Sequence, residues 1–299
     1  MSEQAGHIPV LLKESVDLLI SDPSGVYVDL TYGGGGHSRE ILGRLSDKGK
    51  LIAFDTDQDA VHKLIRDKRF QWIHANFRYL KKYLRYDKIE KVDGVLADLG
   101  VSSFHLDEEE RGFSFQSDAP LDMRMNMEQE MTAADILAQY PEDKLSRIWS
   151  EYAEVTNAAK MAAKWTSDRK SIRLRTCREF AQWLGPFIYG PRNKFLAKVF
   201  QGLRIEVNQE MESLKDVLLQ TESLMATGGR IVVLSYHSLE DRMVKQFLRG
   251  EMAEAGLPWS KAGNSQWRLL NKNVMQASEE EIKRNPRSRS VRLRAAVKI

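Results

Sequence analysis

One stretch constrains this chain more than any other: Val26-Tyr27-Val28-Asp29-Leu30-Thr31-Tyr32, four consecutive glycines at 33–36, then His37. The apolar, β-branched start predicts a buried strand that ends at the glycines. Glycines at a strand end let backbone come close to a ligand. His37 to Leu45 reads as the helix that follows, with Ile41, Leu42 and Leu45 on one side. The rhythm repeats: Lys50 to Phe54 is a second strand ending at Asp55, and Gln58 to Ile65 a second helix. Phe70 to His74 is a third strand, and Val92 to Ala97 a fourth that ends at Asp98. Strands and helices in this order imply a parallel sheet with helices on both faces.

The alternation stops after Ser103 and resumes at Glu206. Val207, Met211, Leu214, Leu218 and Met225 predict one amphipathic helix, ended by Gly228-Gly229. Arg230 to Leu234 follows as a strand, Leu239 to Leu248 as a helix, and Gln266 to Leu270 and Ser290 to Val297 as two more strands. Lys13 to Ile20 adds a helix in front. The order fits a doubly wound α/β domain, residues 1–103 with 206–299, split by a mostly helical insertion, residues 104–205.

The glycine loop narrows the ligand. A dinucleotide fingerprint needs Gly-x-Gly-x-x-Gly, but its third glycine would fall on Ser38 or on Arg39, so both registers fail. No Gly-Lys-Ser/Thr occurs either, which excludes a P-loop. An acid at the end of strand one, a glycine loop, and Asp55 after strand two, where a carboxylate accepts ribose hydroxyls, together suit S-adenosylmethionine. That ligand has a ribose and an adenine but no phosphate. The bland alternative for the glycines alone is a flexible turn.

Strand four carries the candidate for chemistry. In open α/β sheets ligands lie outside the carboxyl ends of strands, near the reversal of strand order, so Asp98 should face the cofactor's sulfonium. Methyl transfer from sulfur needs mainly an in-line nucleophile in position. The exocyclic amine of a base is a poor nucleophile because its lone pair is delocalised. A carboxylate accepting its N–H favours a pyramidal nitrogen and stabilises developing positive charge. The competing reading of Asp98 is a cap or sheet-end residue.

Composition excludes several classes. The chain has 299 residues, 42% hydrophobic and 29% charged, which is long and apolar enough for a sizeable core. No apolar run reaches the ~18 residues of a membrane span, and no secretory signal is visible. A single cysteine, Cys177, can form neither an internal disulfide nor a thiolate zinc site, so a reducing cytoplasm is expected. The net charge of +3 hides an asymmetry. Residues 107–154 carry 13 acidic and 4 basic side chains, 160–204 carry 11 basic and 2 acidic, and 282–299 carry 7 basic and none acidic. Such runs are either solvated faces or surfaces for a polyanion.

Several longer motifs, in order, resemble the ribosomal RNA small subunit methyltransferase H family. They are His7-Ile8-Pro9-Val10-Leu11, Asp29-Leu30-Thr31 through Gly35-Gly36-His37-Ser38, Asp98-Leu99-Gly100-Val101-Ser102-Ser103 and Arg111-Gly112-Phe113-Ser114-Phe115. Leu121-Asp122-Met123-Arg124-Met125, Arg204-Ile205-Glu206-Val207-Asn208, Ser235-Tyr236-His237-Ser238-Leu239-Glu240-Asp241-Arg242 and Asn285-Pro286-Arg287-Ser288-Arg289-Ser290 complete the set. The resemblance covers essentially the whole chain. It implies a class I S-adenosylmethionine-dependent methyltransferase fold with an inserted helical substrate-recognition domain. It also implies methyl transfer to N4 of a cytidine in the decoding region of bacterial 16S ribosomal RNA, with that RNA or the small subunit as partner. By resemblance, Gly35, Gly36 and His37 line the cofactor, Asp55 holds its ribose, and Phe77 and Asp98 complete the pocket. His105 stands where the family usually has glutamine; an imidazole can still make one hydrogen bond there. Tyr32, Ala119 and Gly202 are milder departures. The cysteine-rich stretch of some relatives is absent, so no metal is expected.

The remaining motifs each keep two readings. Phe77 either stacks on adenine or belongs to the core, and His37 acts through its ring or only its backbone N–H. Ser238 to Asp241 has capping-box spacing, with Ser235 and His237 as substrate-side candidates. Asp122 and Arg124 are an internal ion pair or RNA contacts. Phe113 and Phe115 stack on a flipped base or pack in the core. Trp149, Trp165 and Trp183 read as core of the insertion. Arg169, Lys170, Arg173, Arg175 and Arg178, with Arg192, Lys194 and Lys198, are phosphate-contact candidates. Arg292 and Arg294 share one face of the last strand, and Arg289 precedes it. Two other functions compete: a non-catalytic RNA-binding assembly factor on the same fold, and a DNA amino-methyltransferase. Against the latter, Leu99-Gly100-Val101 stands where Pro-Pro-aromatic would follow the strand-four acid. Monomer and homodimer are both open.

Overall fold

A computed structural model describes residues 9–100, 109–252 and 265–299. They fall into two units, residues 1–100 with 211–299, and residues 101–210.

The first unit is built on a seven-stranded sheet: β1 Val26–Asp29, β2 Lys50–Asp55, β3 Phe70–His74, β4 Val92–Asp98, β5 Met225–Ser235, β6 Trp267–Leu269 and β7 Arg292–Lys298. Their order is β3-β2-β1-β4-β5-β7-β6. The pairs among β1 to β5 are parallel, while β7 runs antiparallel to both β5 and β6. This is a doubly wound order, and strand order reverses between β1 and β4. Successive residues point to opposite faces of a strand. Ile231 and Val233 therefore join Val28, Ile52, Phe54 and Val95 on one face, while Val232 and Leu234 join Tyr27, Leu51 and Leu96 on the other. Both faces are apolar because helices cover both. Helices α1 Leu12–Leu19 and α2 Gly36–Arg44 contribute Val16, Leu19, Ile41 and Leu42 to the second face. Helix α3 Leu80–Tyr86 contributes Leu80 and Leu84 to the first.

The second unit is mostly helical: α4 Ala133–Gln139, α5 Glu142–Arg147, α6 Ala158–Asp168, α7 Cys177–Trp183 and α8 Arg192–Asn208. Its core gathers Trp149, Trp165, Phe180, Leu196 and Phe200. Trp183 packs against Trp165 and Phe180, with ring centroids 5.1 and 6.1 Å away. Cys177 is fully buried here, and burial pushes its thiol up to about 12. Threonines start two of these helices, Thr132 and Thr176, each in a capping box with the acid three residues on.

Three elements differ from the sequence expectation. The amphipathic stretch from Val207 to Met225 is two helices, not one. Helix α8 ends at Gln209, whose φ of +50° closes it in the left-handed region, and α9 Glu210–Leu224 follows. The break has a cause: the Asn208 amide bonds the Met123 carbonyl at 2.8 Å and accepts from the Met125 N–H at 2.7 Å. Met225 lies beyond the helix because it already pairs with Val92 in the sheet, and Gly228-Gly229 sit inside β5. The stretch expected as a second helix is a 3-10 turn, Gln58–Lys63. The Lys63 carbonyl accepts from the Tyr32 hydroxyl at 2.6 Å and from Arg39 at 3.3 Å.

Candidate active site

Strands β1, β2 and β4 deliver Asp29, Asp55 and Asp98 to their carboxyl ends. The three carboxylates have different environments. Asp29 is fully buried; one oxygen accepts from the Ser38 hydroxyl at 2.6 Å and the other from the Thr31 N–H at 3.0 Å. Burial drives its carboxyl above the ordinary range, against those hydrogen bonds. Asp29 thus ties the loop to α2 and does not face a ligand. Asp55 is half-buried and accepts from the N–H groups of Gly33 at 2.6 Å and Asp57 at 2.9 Å.

The glycine loop is shaped by its neighbours. Gly35 has φ +72°, and a Cβ there would lie 2.7 Å from the Tyr32 ring. A Cβ on Gly36 would lie 2.1 Å from Cγ of Pro9. The small residues at 35 and 36 are therefore already required by internal packing. At Gly33 nothing lies within 4 Å of that direction, so the open side of the loop is there.

Asp98 differs from Asp29 in reaching solvent, with 16% of its side chain exposed. Its N–H donates to the Thr31 hydroxyl at 2.7 Å, which fixes the strand end. The Tyr236 hydroxyl donates to Oδ1 at 2.8 Å, and Nδ1 of His37 lies 3.7 Å from Oδ2. Burial raises the Asp98 carboxyl; His37 and the Tyr236 hydrogen bond oppose this, and the charges of Asp29 and Glu240 add to it. Tyr236 is raised well above its ordinary value by burial and by the facing carboxylate, so it stays a donor. The strand-end charges are all acidic, and Arg39 turns its guanidinium to the carbonyls of Gly34 and Lys63. Such a site suits a ligand with a cationic centre and ribose hydroxyls and no phosphate.

The description "MraW methylase family" matches residues 4–299. This chain belongs to the MraW methylase family. Similar relatives are named "Ribosomal RNA small subunit methyltransferase H". That of Bacteroides fragilis is 50% identical, covering 99% of this chain and 98% of its own. That of Bacteroides thetaiotaomicron is also 50% identical, over 98% and 97%. That of Christiangramia forsetii is 48% identical, over 98% of each. As a MraW methylase with this sheet order, the chain is a methyltransferase, and its methyl donor is S-adenosylmethionine. The acidic rim and the open loop at Gly33 fit that donor.

Of the other residues expected at the MraW site, Phe77 lies in the turn Phe77–Tyr79 after β3, its partly buried ring packed against the sheet core. His105 lies outside the described residues. Ser235 and His237 are turned inward. The Ser235 hydroxyl donates to the Arg292 carbonyl at 3.2 Å, and Ser235 is buried. His237 caps helix α10 Ser238–Leu248: its Nδ1 accepts from the Glu240 N–H, and Glu240 accepts from the His237 N–H. The capping box is therefore His237 with Glu240, one residue earlier than the Ser238–Asp241 spacing suggests. Asp241 is free of that duty and takes Arg294 at 2.7 Å and Arg292 at 3.0 Å. The shared face of Arg292 and Arg294 thus meets an internal carboxylate. Asp122 and Arg124 form an ion pair at 2.7 Å inside the second unit, and Phe113 and Phe115 pack against its core. Arg169 caps α4 through the Leu137 and Tyr140 carbonyls, and Arg178 pairs with Asp118 at 2.7 Å. Arg173, Arg175 and Arg289 are exposed. Sequence reasoning passed over Tyr236 as a site residue. The signal was faint: one tyrosine in a quoted motif, beside the more conspicuous His237.

Proposed function

We propose that this chain transfers a methyl group from S-adenosylmethionine to N4 of a cytidine in the decoding region of bacterial 16S ribosomal RNA. One observation carries the reading: a carboxylate at the end of β4, beside the strand-order reversal, held at one oxygen by the Tyr236 hydroxyl and still open to solvent. Its relatives' names, small-subunit ribosomal RNA methyltransferases, supply the substrate class. Bound S-adenosylmethionine supplies an electrophilic methyl carbon on a sulfonium. The backbone at Gly35, Gly36 and His37 borders it, Asp55 takes its ribose hydroxyls, and Phe77 covers its adenine. Asp98 accepts an N–H of the target amine, orients its lone pair and receives the proton it loses. The helical unit recognises the RNA, with Arg173 and Arg175 on phosphates; Arg289 is a further phosphate contact. The protein works in the cytoplasm on 16S RNA or the small subunit.

The test is mass spectrometry of 16S RNA from cells lacking the gene. Loss of N4-methylcytidine from the decoding region is expected, and its normal presence overturns the proposal. In the purified protein, Asp98→Ala should fold normally, bind S-adenosylmethionine by calorimetry, and lose about 10²–10⁴-fold in methyl transfer. Near-normal turnover removes Asp98 from the role.

A further inference from the structure

We propose that His37 stores the proton released by the reaction, its Nδ1 receiving from Asp98 what Asp98 takes from the acceptor amine. The inference rests on the reading of the site as an amine methyltransferase.

The argument begins with the tautomer. His37 is almost fully buried, and its Nε2 lies 3.1 Å from the carbonyl oxygen of Val10. That oxygen can only accept, so Nε2 carries the hydrogen. In the neutral ring Nδ1 then presents a lone pair, and it lies 3.7 Å from Oδ2 of Asp98. A lone pair faces a carboxylate with no proton between them. One added proton completes the contact, as O–H to nitrogen or as an imidazolium–carboxylate pair.

The rest of the network directs the proton to that position. Oδ1 of Asp98 is held by the Tyr236 hydroxyl at 2.8 Å, which leaves Oδ2 as the oxygen toward His37. The charged or titratable groups around the pair are Asp29 at the end of β1, Tyr236 and Glu240 beside α10, and Glu281, whose carboxylate accepts from the Leu11 N–H at 2.8 Å. Three of these are carboxylates, so the surroundings favour one arriving positive charge. Methyl transfer leaves one positive charge on the acceptor nitrogen. Its N–H bond breaks, the electron pair stays on nitrogen, and the proton moves to Oδ2. The O–H bond then breaks as N–H forms on Nδ1, restoring the carboxylate beside an imidazolium. Water takes the proton before the next turnover. His37 acts through Asp98 and is a positioning residue in that sense.

The competing reading is that His37 only anchors the segment at Val10. His37→Gln separates the two, since its amide can still donate to the Val10 carbonyl but cannot hold a proton. The expected result is unchanged S-adenosylmethionine binding and KM, with kcat lower by about 10²-fold. The acid limb of the kcat profile should also move to higher pH, because the Asp98 carboxyl loses the neighbour that most opposes its burial. Equal kcat with an unmoved limb overturns the inference while the parent's methyl transfer leaves the functional reading standing. No methyl transfer by the parent overturns both. Nitrogen-15 NMR of the parent gives a check that needs no His37 variant. A protonated Nε2 and bare Nδ1 at high pH, with Nδ1 gaining its proton less readily in Asp98→Asn, support the relay. A hydrogen on Nδ1 at high pH excludes it.

Discussion

At the scale of single residues, neighbours that sequence cannot show decide what each glycine and acid does. Gly36→Ala should lower stability by about 1–3 kcal/mol through overpacking, because its Cβ would meet the Pro9 ring at 2.1 Å. Gly33→Ala carries only the strain of a φ of +51°, about 1–2 kcal/mol, with open space around it. Denaturant unfolding of both variants checks this, and a Gly36→Ala protein as stable as the parent contradicts the Pro9 packing. The three strand-end acids look alike in sequence. In the fold Asp29 is sealed, Asp55 holds the Gly33 N–H and Asp98 reaches solvent. Tyr236→Phe tests that difference. The hydroxyl stabilises the ionised form of Asp98, so its removal makes the carboxyl easier to protonate. Activity that needs the carboxylate should then fail at a higher pH than in the parent, with the acid limb shifting upward. A pH–rate profile with an unmoved limb means that Tyr236 does not tune Asp98.

At the scale of elements, apolar periodicity placed strands β1 to β4 and the helices beside them, because a strand buried on both faces leaves a compact apolar run. The same periodicity overran at α8 and α9. Val207 and Met211 sit at helical spacing in sequence, but Asn208 turns its side chain to the Met123 and Met125 backbone and the chain breaks after it. Capping spacing misplaced the start of α10 for a similar reason, since Asp241 is claimed by Arg292 and Arg294 of β7. That contact has a measurable pH signature. Burial pushes the Asp241 carboxyl up, but Arg294 and Arg292 together outweigh it and hold it below the ordinary range. Its stabilisation is present above the ordinary carboxylate value and is lost as pH falls through the lower folded-state one. Asp241→Ala should lower stability by about 1–3 kcal/mol near neutral pH, with the gap to the parent narrowing in acid. A gap that is constant with pH rules out the ion pair as its source.

At the scale of the whole molecule, charge is the feature that organises the RNA proposal, and the structure sorts that charge. Arg169, Arg178, Arg292 and Arg294 serve the protein's own carbonyls and carboxylates, whereas Arg173 and Arg175 are exposed. Arg173→Glu with Arg175→Glu should weaken RNA binding and flatten its dependence on salt by about one unit of slope per lost phosphate contact. Unchanged affinity across a salt series removes this patch from the interface. No helix among the described residues is long and apolar enough to cross a membrane. The doubly wound order and the family were legible in the sequence, and Asp98 stood out there as a candidate, because strand periodicity, motif order and strand-end position are local properties of a chain. The fold settles which acid is sealed, joins Tyr236, far along the chain, to Asp98 and makes His237 a helix cap. The physical reason is that burial and hydrogen-bond partners come from residues distant in sequence, and those set whether a carboxylate is structural or able to accept a proton.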